Sequence, residues 1–161
     1  MMRRQNTYTF FFIYSIINVM HKKFYASGFL YHLPSGQILL QQDTTSQNSS
    51  LQWFLFGKPH VEKDVPAKVF KDTINDLLDI NIDMVLPVYS YETDNTHQSI
   101  IYAELEDLKE FPSKNGLIFN WFSFKSILKL QITPQTKHDI VVGQRVIEAT
   151  GRKNRGEHTF Q

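Results

Sequence analysis

The spacing of apolar side chains between residues 24 and 105 changes twice, from strand-like runs to a three-to-four repeat and back. Residues 24–32 and 37–42 are dense in aromatic and aliphatic positions and flank Pro34-Ser35-Gly36. A run, a turn signal and a returning run predict a hairpin. Residues 43–50 are polar and predict a flexible loop, 51–56 form a third apolar strand ending at Gly57, and 58–64 form a second polar loop. Val69, Phe70, Ile74, Leu77 and Leu78 then recur at helical spacing across residues 66–79. Asp64 or Val65 sits at the N-cap of that helix and Pro66 in its first turn, where a missing N–H costs nothing.

Strands follow at 82–91, with Pro87 marking a bulge or edge, and at 98–105, joined by a polar turn at 92–96. A further strand covers 117–122 and a short amphipathic helix 124–130. Thr133 caps a last helix that has Pro134 at its first position and ends near residue 150. The predicted order β-β-β-α-β-β-β-α-α describes an α/β chain of the α+β kind, a mixed sheet flanked by helices. It forms one domain over residues 20–150, with no repeat or internal linker.

Composition narrows the chemistry. Hydrophobic residues are 42% and charged residues 20% of the 161, ordinary for a globular chain. The formal net charge is +1, so no global field draws nucleic acid or an anionic membrane. There is no cysteine, which removes disulfides, thiolate nucleophiles and thiolate metal sites together. Any metal must take carboxylate, histidine or backbone oxygen ligands. A cytoplasmic setting suits this composition.

The ends differ from the middle. Arg3 and Arg4 precede an apolar stretch from Phe10 to Met20, shorter than the roughly 20 residues that cross a bilayer. Residues 1–19 read as an over-extended start, a leader or anchor, or an extra packed strand. Residues 151–161 hold Arg152, Lys153 and Arg155 and read as a flexible basic tail.

The segment 53–82, WFLFGKPHVEKDVPAKVFKDTINDLLDINI, resembles the Nudix box, G-x5-E-x7-R-E-U-x-E-E-x-G-U with U aliphatic. Trp53, Leu55 and Gly57 match the family's W-x-L-P-G-G opening. Asp64 lies at the first glutamate, Pro66 at a frequent proline, and Ile74 and Ile80 at the aliphatic positions. Residues 24–42 resemble the family's first hairpin, and residues 120–136 its C-terminal strand and helices. The resemblance implies an α/β/α sandwich of the Nudix type. It also implies glutamates on one helix face that hold Mg²⁺ or Mn²⁺ against a diphosphate while water attacks phosphorus.

The chain departs from that pattern where the chemistry lies. The carboxylate positions carry Thr73, Asp76 and Leu77; the arginine is Asp72, the second glycine Lys58 and the final glycine Asp79. Asp64 and Asp76 are the remaining metal ligands, with Asp72 a third candidate catalytic acid. A register shifted by one places residues 71–76 on R-E-U-x-E-E with better acid matches, but puts Asp79 at a core position, where an unpaired charge is costly. Lys58 and His60 are candidates for a phosphate near the helix N-terminus and Trp53 for a stacked base. Tyr25, Tyr31 and Trp121 are further strand aromatics, more often core than pocket. Glu92 and Asp94 can supply an extra ligand or a solvated turn, and His97 and His138 read as surface histidines.

Three functions stay open. One is a divergent hydrolase of a nucleoside diphosphate linked to another moiety, needing Mg²⁺ or Mn²⁺. The second is an inactive nucleotide-binding or regulatory module, and the third an interaction domain. The expected partner is a small-molecule nucleotide derivative, with no signal for nucleic acid or membrane.

Overall fold

The computed structural model describes residues 22–45 and 51–157. The segment 1–19 and most of the 43–50 loop lie outside these residues. Seven strands form one mixed sheet: β1 (Lys23–His32), β2 (Gln37–Asp43), β3 (Trp53–Phe54), β4 (Phe56–His60), β5 (Leu86–Glu92), β6 (Thr96–Glu104) and β7 (Leu117–Ser123). Three helices complete the fold: α1 (Pro66–Leu78), α2 (Phe124–Ile127) and α3 (Pro134–Asn154).

β1 is the spine. It runs parallel to β6 from Lys23↔Thr96 to Tyr31↔Glu104. Its other edge is shared: β4 pairs with its first half and β2 with its last residues, both antiparallel. β7 and β3 pair with β2, and β5 closes the far edge against β6. The expected hairpin and the three helices are present, and the last helix has its expected cap: Thr133 Oγ1 accepts the Thr136 N–H at 3.1 Å. Pro87 marks a register shift in β5, as its missing donor requires.

Alternation along the strands sorts the core into two layers. Ala26, Leu30, Leu39, Ile101 and Ala103 meet Phe70, Ile74 and Leu78 of α1 on one face. Phe29, Tyr31, Ile38, Leu40, Ile100 and Tyr102 meet Ile127, Ile140 and Ile147 on the other. Helices on both faces make an α/β/α sandwich. Burying Phe70 and Ile74 contributes roughly 1.5–3 kcal/mol each, and Gly28 lets α1 lie close. A Cβ there would stand 2.0 Å from the Ile101 carbonyl oxygen and 2.9 Å from the Phe70 ring.

Several boundaries differ from the sequence reading. The third strand breaks at Leu55 and resumes as Phe56–His60, so that residues 58–60 are strand where a polar loop is expected, and the short helix expected over 124–130 ends at Ile127. Gly57, Lys58 and Pro59 are all exposed, so pairing with β1 rather than burial makes this segment a strand. Residues 82–85 lie outside β5, and α3 continues past residue 150 to Asn154. No helix among the described residues is long and apolar enough to cross a membrane.

Candidate functional site

The helix that follows Gly57 decides what the box can do. α1 starts after Val65, whose side chain makes no cap bond, and its last residue is followed by Asp79 in the left-handed conformation, φ 56°. That conformation is one glycine adopts freely, and the ungapped register puts the box's final glycine there. Ile74 is fully buried and Asp79 exposed, whereas the shifted register needs Asp79 in the core. The ungapped register is the one that folds.

In that register two of the three ligand positions have turned inward. Thr73 is buried, its hydroxyl donating to the Val69 carbonyl at 2.8 Å. Leu77 packs on the core layer under α1. Asp76 alone of the three is an exposed acid, and the Lys114 ammonium donates to its backbone carbonyl. Among the described residues no group of three or more His, Asp or Glu is placed to hold a metal ion. A hard cation needs charged oxygen donors. The Nudix-type metal set therefore does not fit this helix.

What the fold brings together instead is a cleft of about 200 Å³ between β4 and the start of α1. Lys58, His60, Asp64, Lys68 and Asp72 line it, with Pro59, Val65 and Val69 as apolar wall. Four of these are residues singled out in the sequence; Lys68 is new, and its amine pairs with Asp72 at 3.2 Å. His60 Nδ1 lies 2.7 Å from the Val61 carbonyl, which can only accept. In the neutral ring that leaves Nε2 as an acceptor; it is buried and has no partner. Two lysines and two aspartates line it, so their formal charges cancel.

Trp53 and Asp76 do not line this cleft. Trp53 packs with the layer under α3, edge-on to Phe122 at 4.7 Å, on the opposite face of the sheet from α1. Trp121 is likewise structural, its indole N–H donating to the Lys109 carbonyl at 2.7 Å. Glu92 is taken by Lys22 at 2.7 Å and His97 at 3.0 Å, hydrogen bonds that hold its carboxyl below the usual range.

Sequence reasoning missed a polar cluster on the far face. Asp139 of α3 is buried and accepts hydrogen bonds from the Tyr89 hydroxyl and, at 2.9 Å, from Gln135. The available signal was its place on the inward stripe with Gly143 and Ile147.

No protein-family model matches the sequence, and no curated protein matches it. Solved structures do. A MutT structure, from work on the Aliivibrio salmonicida and Vibrio cholerae proteins, is similar with a TM-score of 0.62 at 10% identity. The likeness covers 79% of this chain and 98% of that one. The chain has the Nudix fold. The Nudix domain of Shewanella oneidensis NrtR, complexed with ADP ribose, gives 0.62 at 9% identity, over 78% of this chain and 88% of its own. The C-terminal domain of mouse MUTYH, solved with human PCNA, gives 0.60 at 10%, over 87% and 94%. These structures share the Nudix sandwich with this chain at identities of 9–10%.

Proposed function

We propose that this Nudix-fold chain binds a diphosphate-bearing small molecule, of the nucleoside diphosphate derivative class, without turning it over by a resident metal. One observation carries the reading: Thr73 is buried and Leu77 packs half-buried against the core where the Nudix box needs carboxylates. With only Asp76 left exposed at those positions, the charge that draws Mg²⁺ or Mn²⁺ is missing. The β4–α1 cleft retains what a ligand of this class needs. Lys58 and Lys68 suit phosphate oxygens, and Asp64 and Asp72 suit the hydroxyls of an attached sugar. The positive end of α1 adds a favourable dipole. The ADP ribose bound to the NrtR domain supports that class of ligand. The lack of cysteine supports a reducing, cytoplasmic setting.

A second reading, weak hydrolysis, rests on Asp64 and Asp72 lining one cleft. Two carboxylates with substrate phosphates can hold Mg²⁺, but here the ion has to displace Lys68 from Asp72. Thermal melts of the full chain with ADP-ribose and related nucleoside diphosphates, with Mg²⁺ or with chelator, separate the two. Stabilisation that survives chelation, without product, supports the binding module. Product that appears with Mg²⁺ and vanishes in Asp72→Asn supports the hydrolase. No stabilisation and no product with any ligand sinks both.

A further inference from the structure

A second cleft, of about 370 Å³, opens on the other flank of α1, against β5 and β6. Its walls are Val65, Pro66 and Ala67 from the helix start and Val85, Pro87 and Ile101 from the sheet, and Tyr89 and Ile100 line it as well. The polar groups are few. Ser90 and Ser99, a cross-strand pair, are the hydroxyls at its floor, and the Tyr89 hydroxyl is already given to Asp139. Amide, carboxylate and guanidinium side chains, which read the edge of a base, are missing from the lining.

Val65 belongs to both clefts. The residue just before α1 is thus the ridge between an ammonium-bearing pocket and an aliphatic one, and it is 62% exposed. A ligand crossing that ridge meets charge on one side and hydrocarbon on the other.

We propose that the two clefts form one site, and that its ligand is a diphosphate ester carrying an aliphatic, prenyl-like group. The diphosphate sits by Lys58 and Lys68 and the hydrocarbon between α1 and the β5–β6 hairpin. This rests on the reading above that the first cleft takes a diphosphate, and it departs from that reading in the attached group, a hydrocarbon in place of the nucleoside. Removing such a group from water is favourable in proportion to its area, and the second cleft offers a surface of that kind beside the charged one.

Calorimetric titration of the full chain, in chelator, with inorganic diphosphate, geranyl diphosphate and ADP tests it. Geranyl diphosphate is expected to bind on the order of tenfold or more tighter than inorganic diphosphate. Ser90 is exposed on the edge strand, so Ser90→Glu places a charge in the second cleft without disturbing the core. In that variant geranyl diphosphate falls to the affinity of inorganic diphosphate. If both bind equally to the wild-type chain, the second cleft is no part of the site and the phosphate reading stands alone. An advantage that survives Ser90→Glu overturns the placement of the hydrocarbon. ADP binding tighter than geranyl diphosphate, and losing that edge in Ser90→Glu, makes the occupant a base and overturns the aliphatic assignment. No binding of any of the three removes the phosphate reading and this inference together.

Discussion

Tyr89 on β5 and Asp139 on α3, remote in sequence, share a hydrogen bond that ties the last helix to the edge of the sheet. Gln135 donates to the same carboxylate oxygen, and the His138 ring stands edge-on to Tyr89 at 6.0 Å. Burial is the larger influence on both partners. It pushes the Asp139 carboxyl up despite the two donors and nearby His138, and it holds the Tyr89 phenol far above its ordinary value, with Asp139 adding to the effect.

A sign for pH follows. The folded chain holds the Asp139 proton to higher pH than the unfolded chain does. Between the ordinary carboxyl value, about 4, and the raised folded value, the folded state binds the extra proton. Stability from this group is therefore greatest below that window, falls as pH rises through it and is flat above. Asp139→Asn keeps an acceptor for Tyr89 and removes the titration. Thermal melts across acidic to neutral pH are expected to show wild type losing stability relative to the variant as pH rises. A pH-independent difference between the two would falsify the raised value.

Gly143 of α3 rides directly on Phe29 of β1. A Cβ at that position would stand 2.6 Å and 2.7 Å from two atoms of the Phe29 ring, itself fully buried in the core. In an open helix Gly→Ala stabilises by about 1 kcal/mol. Here overpacking costs typically 1–3 kcal/mol, so the steric cost wins. Gly143→Ala is expected to lower stability in urea unfolding. A gain would mean that α3 can lift from the sheet freely.

The starts of α1 and α3 were legible because their signals are local: Pro66 and Pro134 at first positions, Thr133 as cap. β4 was not. Gly57, Lys58 and Pro59 carry no apolar alternation, and their strand exists because Ser27, Ala26 and Tyr25 lie opposite. Asp139 was not singled out for a similar reason, since its partner Tyr89 is 50 positions away. The candidate site divides in the same way. Asp64 just before α1 and Asp72 near its middle line the same cleft, whereas Trp53, counted with them in sequence, faces the other layer.

Restoring the box one residue at a time carries a cost set by Thr73. Its side chain is buried and its hydroxyl satisfied by Val69. Thr73→Glu forces a longer, ionisable chain into that place, at a cost of roughly 2–5 kcal/mol. The expected result is a variant unfolding at clearly lower urea. Wild-type stability in the variant would show that α1 can rotate this position to the surface, and would reopen metal binding there.

Asp79 is the position where the family pattern and the backbone agree against the residue present. Its φ of 56° is left-handed, a conformation that costs L residues roughly 1–2 kcal/mol, less for aspartate than for most. Its charge also stands at the negative end of the α1 dipole, which is unfavourable. Glycine removes both penalties, offset in part by greater freedom in the unfolded chain. Asp79→Gly is therefore expected to raise stability by about 1 kcal/mol, and Asp79→Ala to lower it. Paired urea unfolding curves check the order glycine, aspartate, alanine. Alanine as stable as glycine would mean that α1 does not end there in a left-handed turn, and the register that puts Thr73 and Leu77 at carboxylate positions would lose its main support.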